Sequence, residues 1–361
     1  MAEGKSFFSE FNSSTKGDWL EKVKKDLKGK ALESLNFEVE EGLVLSPFFG
    51  QEDTDSSQKN GLVNFRQGAW HNGACFEVSD VKRTNMQLKE ELEGGVNAPL
   101  LLLNQNLSAE SIAHLYKGIE VAWVRNYFEG EEEVLIDFFD KWMTFLETQG
   151  TDLTAVKGNL GLSYLSEKVK PILAFAKKEM PDFSLFKIEE QSDVNYSTGL
   201  ASLLKKAQQL FEQSDNVKEL VTQIEFKLWV DKNYFASIAK LRAFHILWAN
   251  FLKAYNCHED RIPNISVHFA ASIESDDEYQ NMIHTATVAS SAIIGGGTTI
   301  FIPSAANPAT PLTRRMARNV NHILKMESYM DKVIDPAAGS YYVEALTGEL
   351  AKRAWEKFQG E

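Results

Sequence analysis

The stretch PLLLLNQNLSAESIAHLYKGIEVAWVRNYF (residues 99–128) decides the fold class. It contains an apolar run at 99–104, a segment with apolar residues at helical spacing at 108–118, and a second apolar run at 121–128. A continuous apolar run is typical of a strand buried on both faces, and such strands alternating with helices indicate a parallel sheet. The stretch therefore predicts a β–α–β unit.

The same alternation continues along most of the chain. Further apolar runs lie at 74–78, 183–188, 265–271 and 298–305, and further amphipathic segments lie at 131–148, 166–179 and 198–213. About eight such units over roughly 250 residues favour a closed (β/α)8 barrel, the α/β fold known as the TIM barrel. An open, doubly wound parallel sheet is the alternative architecture.

Composition limits the function classes. The chain has 361 residues, of which 43% are hydrophobic and 25% charged, and its net charge is -13. The acidic balance argues against nucleic acid or an anionic membrane as a partner, because phosphate binding needs a basic face. No apolar run approaches twenty residues and residues 1–30 lack a signal-type apolar core, so we predict a cytoplasmic location. Cys75 and Cys257 show no metal spacing and are predicted to be reduced thiols.

The two ends of the chain differ from its centre. Residues 18–29 predict a short amphipathic helix and residues 35–49 an extended piece, followed by a polar linker. At the other end, Asp335-Pro336 and Gly339 predict a turn, and Thr347 is a candidate N-cap for a C-terminal helix. We therefore predict an N-terminal arm (1–60), a barrel (61–330) and a turn with a helical extension (331–361).

Three blocks of sequence resemble the methylmalonyl-CoA mutase family. VIDPAAGSYYVEALTGELAKRAWEKFQ (333–359), preceded by the pair Arg318-Asn319, is similar to the end of that family's acyl-CoA-binding barrel. FASIAKLRAFHILW (235–248) resembles the family's A-K-L-R-A helix. The W-x-x-x-x-x-K-D-L-K-G and E-G-x-x-x-x-P patterns of residues 19–47 resemble the extension of the family's small subunit, which wraps the partner subunit.

The resemblance fails where the family carries its chemistry. Catalytic members have an S-G-Y-H turn after the fifth strand, and by approximate alignment this chain has IEEQ there, with Gln191 near the position of the histidine. Glutamine can donate a hydrogen bond but is no general acid, and Glu189 and Glu190 would repel an acyl-CoA carboxylate. Near the first strand Trp70 is retained, but the family's tyrosine and nearby arginine are not. The arginine region after the fourth strand is shortened to residues 158–171.

The family's cobalt-binding pattern Asp-x-His-x-x-Gly does not occur in the sequence. The chain ends at Glu361, directly after the predicted barrel, so we expect the cobalamin-type domain to be either cut off or absent.

The resemblance therefore implies the small, non-catalytic subunit of a heterodimeric, adenosylcobalamin-dependent methylmalonyl-CoA mutase. The large catalytic subunit would be the partner and would bind the cofactor, whereas this chain would have no catalytic residue, metal or cofactor of its own. A homodimer of isolated chains is an alternative assembly. Two other functions stay open: a regulatory barrel that binds acyl-CoA, and an active mutase-type isomerase. The resemblance implies that Lys240, Arg242 and Trp70 would make weak contacts with acyl-CoA. The alternative is that residues 238–252 form a core stripe whose cations are solvated.

Other motifs favour structural roles. GGGTT (295–299) follows a helical segment and precedes a strand, the reverse of a phosphate-binding loop, and is predicted to end the helix. The acidic run 129–133 is predicted to be a solvated helix start. Five of the seven histidines are scattered without paired metal spacing and are predicted to be core or isolated residues; they are His71, His245, His268, His284 and His322.

Overall fold

The computed structural model describes residues 14–53, 69–214, 216–257 and 262–360. The chain divides into two compact units, Met1–Lys59 and Asn60–Glu361. No helix in the described part of the chain is both long and apolar enough to cross a membrane.

The first unit contains one helix and one hairpin. Helix α1 spans Lys16–Asp26, and strands β1 (Phe37–Glu40) and β2 (Leu43–Leu45) pair antiparallel. Trp19 stacks on Phe48 with ring centroids 4.5 Å apart, which joins the helix to the segment after the hairpin. The amphipathic helix is confirmed, although it begins and ends slightly earlier than predicted.

Eight parallel strands of the second unit close into a barrel, which confirms the (β/α)8 fold and excludes the open sheet. In chain order they are β3 (His71–Glu77), β4 (Ala98–Leu103), β5 (Arg125–Gly130), β6 (Lys157–Leu162), β7 (Phe183–Glu189), β8 (Ile224–Val230), β9 (Asn264–Phe269) and β10 (Thr299–Phe301). The ring is closed by β10, because Thr299 aligns with Ser266 of β9 on one side and with His71 of β3 on the other.

The helices lie outside the strands. They are α2 (Val81–Glu93), α3 (Ala109–Leu115), α4 (Glu132–Gln149), α5 (Val169–Glu179), α6 (Tyr196–Glu212), α7 (Val217–Leu220), α8 (Tyr234–Ala254), α9 (Glu278–Ile294), α10 (Pro311–His322) and α11 (Tyr341–Gln359). Helix α9 stops at GGGTT as predicted, with Gly296 in the left-handed region at φ 95°. The Thr347 cap is wrong: α11 already begins at Tyr341, and Thr347 is fully buried within it.

Two of the strands, β6 and β8, lie outside the apolar runs. In β6 the pattern is interrupted by Gly158 and Gly161, whose φ angles are 138° and 82°. A Cβ on Gly158 would lie 1.8 Å from the carbonyl oxygen of Asn126 in β5. Only glycine allows β5 and β6 to approach so closely. Because glycine has no side chain, β6 lacks the continuous apolar run by which a buried strand is predicted from sequence.

Candidate functional site at the barrel mouth

A cluster of paired charges fills the carboxyl end of the barrel. Glu129, at the end of β5, accepts hydrogen bonds from Lys187 Nζ at 2.5 Å and from Lys227 Nζ at 2.8 Å. Lys227 also lies 3.1 Å from Glu189. The Lys187 and Lys227 side chains are 11% and 8% exposed. In (β/α)8 enzymes this end holds the active site, but here its charged side chains bind one another.

This cluster corrects the prediction for the acidic run 129–133. Glu129 is the fifth residue of a strand and a half-buried ion-pair partner, not part of a solvated helix start. Within this run, Glu132 and Glu133 do lie in the first turn of a helix, α4, as predicted. A single segment of sequence could not reveal this, because the two lysines lie 58 and 98 residues away.

The cluster has a definite charge distribution. Burial acts to raise the pKa of Glu129, but the ammonium groups of Lys187 and Lys227 outweigh it and hold the pKa at about 2. Burial also lowers the pKa of Lys187, whereas Glu129 and Glu189 outweigh burial at Lys227 and raise its pKa. At neutral pH the centre of the mouth is therefore a carboxylate paired with ammonium groups.

Aromatic side chains complete the filling. His268 of β9 stacks on Phe301 of β10 with ring centroids 4.6 Å apart, and Trp229 lies 5.5 Å from the His268 ring. Lys227 Nζ lies 4.8 Å above the Trp229 ring, a cation–π contact. Burial holds the pKa of His268 well below its usual range, so this histidine is neutral. Tyr127 contacts the edge of Phe301 at 5.6 Å and extends the packing toward the other end of the barrel.

Among the described residues, two of the cavities lie at the rim of the mouth. One has a volume of about 350 Å³ and is lined by Cys75, His268 and Arg318, among others. Cys75 is exposed to solvent there, yet the enclosing protein and Glu129 raise the pKa of its thiol to about 12, so it is not a thiolate nucleophile. The other has a volume of about 610 Å³ and is lined by Lys187, Gln191 and neighbouring residues.

Gln191 follows β7, the fifth barrel strand, and is exposed. The adjacent Glu190 has a different environment: it is 1% exposed, accepts a hydrogen bond from Lys240 Nζ at 2.5 Å, and accepts another from the Trp229 amide at 2.6 Å. It is directed into the wall of the barrel, so it cannot repel a ligand in the way we expected of both glutamates. Glu189 does face the mouth, where it pairs with Lys227.

Lys240 and Arg242 are both buried, at 4% and 3% exposure, so the expectation of solvated cations on α8 is wrong. The core stripe itself is confirmed, since Ile238, Leu241, His245, Trp248 and Leu252 are all buried. Lys240 pairs with Glu190, and Arg242 donates hydrogen bonds to Asp335 and, at 2.7 Å, to Glu344. A role of either cation in coenzyme A binding stays a prediction.

The Arg242 contacts explain two of the sequence blocks. Asp335 and Glu344 are the acidic residues of the D-P-x-x-G-S-x-Y-V-E block, and Arg242 is the arginine of the A-K-L-R-A block. The two blocks meet in two ion pairs of the buried Arg242, which link the C-terminal segment to α8. Their shared function in this chain is therefore structural.

Trp70 lies at the amino end of the barrel, next to β3, rather than at the mouth. Its Nε1 donates to Asn321 Oδ1 at 2.7 Å, and Asn321 Nδ2 donates to Asn72 Oδ1 at 2.8 Å. All three residues are buried. This amide network joins the first strand of the barrel to its last helix, α10, and gives Trp70 a structural role.

The described residues contain no group of three or more His, Cys, Asp or Glu side chains placed to hold a metal ion. His268, the histidine of the mouth, lies flat on Phe301, so its ring is not directed outward as a cobalt ligand. His245 is a core residue with a pKa lowered to about 3 by burial. Neither His268 nor His245 is therefore placed to bind a cobalt ion.

The architecture and the mouth define the chain as a (β/α)8 barrel whose carboxyl end is filled by paired charges. The family model described as methylmalonyl-CoA mutase matches residues 162–360, which is more than half of the chain. The chain therefore belongs to the methylmalonyl-CoA mutase family.

Two relatives show where the chain lies within this family. The methylmalonyl-CoA mutase small subunit of Porphyromonas gingivalis is 27% identical and the alignment covers 99% of this chain and 64% of that protein. The small subunit of Streptomyces virginiae is 26% identical, with 99% of this chain and 65% of that protein covered. The chain thus spans a little under two thirds of each relative. Among solved structures, HPPK-DHPS of Plasmodium falciparum is 15% identical over 78% of this chain and 50% of that chain with a TM-score of 0.43, too low to support an argument.

Proposed function

We propose that this chain is the small, non-catalytic subunit of a heterodimeric, adenosylcobalamin-dependent methylmalonyl-CoA mutase, which interconverts methylmalonyl-CoA and succinyl-CoA. The observation that carries the proposal is the filled mouth. An acyl group on the barrel axis would have to displace the Glu129 cluster, and breaking a buried ion pair costs about 3–5 kcal/mol.

The cofactor would be bound by the large subunit, where it would supply cobalt–carbon homolysis to start the rearrangement. In this chain Gln191 lies near the position of the family's catalytic histidine and has no acid–base function. The role of the chain is then to bind the large subunit and to stabilise it by mass action.

The N-terminal unit supports a role in binding a partner. Helix α1 has no buried residue, Leu35 just before the hairpin is 39% exposed, and Phe37 and Val44 of the hairpin are 52% and 55% exposed. So small a unit with exposed apolar side chains gains stability when a second surface covers them. We propose that residues 1–60 supply this contact to the large subunit.

The test is co-expression with a candidate large subunit, followed by co-purification and an assay of methylmalonyl-CoA and succinyl-CoA interconversion with and without adenosylcobalamin. We expect a stable complex whose activity requires the large subunit and is unchanged in Gln191→Ala. A second variant, Phe37→Asp with Val44→Asp, should weaken the complex while leaving the barrel folded.

Three results would contradict the proposal. One is turnover by this chain alone, which would favour the active isomerase. Another is failure to bind any large subunit. The third is protection of the isolated chain from thermal unfolding by an acyl-CoA, which would favour the regulatory barrel.

A further inference from the structure

A second concave site lies at the opposite, amino-terminal end of the barrel. It is a cavity of about 240 Å³ lined by the first residues of three strands, His71 of β3, Arg125 of β5 and Asn264 of β9, together with Thr298 and Thr299 beside them. The active site of a (β/α)8 enzyme lies at the other end, so this cavity is not explained by catalysis.

The side chains of this cavity have donors without partners among the described residues. Arg125 makes one long hydrogen bond, from Nε to the Tyr127 hydroxyl at 3.4 Å, and none of the salt bridges of the described residues includes it. The His71 ring and the Asn264 amide make no side-chain hydrogen bond within the same residues. The Thr299 hydroxyl is fixed by Tyr127 at 2.9 Å. A partly buried guanidinium with free N–H groups is unusual, because such groups are normally paired.

The charges around the cavity favour an anion. Burial, with Arg125, Lys157 and Lys325 adding to it, lowers the pKa of His71 to about 4, so the ring is neutral and its N–H can donate. Asp182 is exposed and lies 3.9 Å from Lys157. The surroundings of His71 are therefore cationic in a chain whose net charge is -13.

One buried carboxyl also acts on Arg125. Glu225 of β8 is 1% exposed, its Oε1 has no hydrogen-bond partner within the described residues, and burial raises its pKa to about 7. Near neutral pH this carboxyl is partly protonated, and it forms no ion pair with Arg125 within 4 Å. It therefore leaves much of the positive charge of Arg125 available to a ligand.

We propose that this cavity binds a small oxyanion, a phosphate or a carboxylate, through the Arg125 guanidinium, with His71 and Asn264 as further donors. The planar guanidinium fork matches both anions in a bidentate arrangement. The cavity volume is below the roughly 300–1,000 Å³ of sites for drug-sized ligands, which limits the ligand to a small group.

The test is a titration of the full chain with inorganic phosphate at pH 7, followed by calorimetry and by ³¹P line broadening, with acetate as the carboxylate arm. We expect saturable one-to-one binding of at least one of the two anions. Arg125→Met should weaken it at least tenfold, as expected for loss of a bidentate charged contact. Asn264→Asp places a carboxylate in the lining of the cavity and should abolish binding of the anion. The control is Arg83→Met, which removes the same charge from the exposed surface of α2 and should bind like the wild type.

Circular dichroism of each variant establishes that it is folded before its affinity is compared. Arg125→Lys, which keeps the charge but lacks the fork, should bind more weakly than the wild type. The proposal is overturned if neither anion binds at up to about 10 mM, or if Arg125→Met and Arg83→Met bind alike. It is also overturned if coenzyme A binds while phosphate and acetate do not, because the site would then recognise a larger molecule.

Discussion

Replacing Arg242 with methionine should weaken the attachment of the C-terminal helix α11 to the barrel. Arg242 is 3% exposed, and its guanidinium pairs with Asp335 and Glu344, whose side chains are 6% and 27% exposed. Methionine retains most of the apolar volume but leaves two carboxylates without a cation. Asp335 cannot reach water in this position, whereas Glu344 can be partly hydrated.

The magnitude follows from this difference. Breaking a buried ion pair by removing one partner costs about 3–5 kcal/mol, and we expect the lower end, about 3 kcal/mol, because Glu344 is partly exposed. Adding Asp335→Asn to Arg242→Met removes the buried charge and should restore about 1–2 kcal/mol. The matched control is Arg315→Met on the exposed side of α10, which should change stability by less than about 0.5 kcal/mol.

The assay is urea unfolding followed by circular dichroism, combined with hydrogen exchange of peptides from α11. We expect the α11 amides to exchange faster in Arg242→Met than in the wild type, and to be accelerated more than the amides in the rest of the barrel. The reason is that α11 loses its ion-pair link to α8. The reasoning is refuted if Arg242→Met is as stable as Arg315→Met. It is also refuted if Asp335→Asn fails to restore any stability.

Two further predictions concern buried polar groups. Burial raises the pKa of Glu225 to about 7 in the folded protein, above the value of 4.5 in an unfolded chain. The contribution of Glu225 to the free energy of unfolding is therefore fully present below pH 4.5 and is lost as the pH rises through 7. The free energy of unfolding of Glu225→Gln, measured in urea, should therefore rise relative to that of the wild type by on the order of 3 kcal/mol between pH 4.5 and pH 8. A difference between the two proteins that stays constant across this range would contradict the raised pKa of Glu225. Asn321→Leu removes the hydrogen bonds of Asn321 to the Trp70 Nε1 and to the Asn72 Oδ1, and should destabilise the barrel by about 2–4 kcal/mol. An unchanged thermal midpoint would show that the network is dispensable.

The sequence predicts the fold wherever burial produces a continuous apolar run, as in β4 and β7. It fails for β8, IEFKLWV, because Glu225 and Lys227 interrupt the apolar pattern at positions that face the barrel interior. Lys227 is buried there beside Glu129, which lies on another strand, and such a partner cannot be identified from one segment.

The candidate site shows the same limit. The prediction that Gln191 stands near the position of the family's catalytic histidine rests on the family pattern alone. The pairing of Lys240 with Glu190 could not be predicted in this way, because it depends on β7 and α8 meeting across 50 residues of sequence. The unpaired donors of Arg125 are even harder to predict from sequence. They are unpaired because the described residues around them in the fold place no acceptor within reach.

The network of Trp70, Asn72 and Asn321 also has a consequence for synthesis of the chain. Its hydrogen bonds join residues 251 and 249 positions apart, so the network can form only when Asn321 of α10 has left the ribosome. At about 5–20 residues per second this takes roughly 10–50 s. During that time the apolar strands are made but the ring cannot close, and contacts so distant in sequence form slowly even in the finished chain. The nascent protein therefore exposes its apolar strands to aggregation until β10 and α10 have been made.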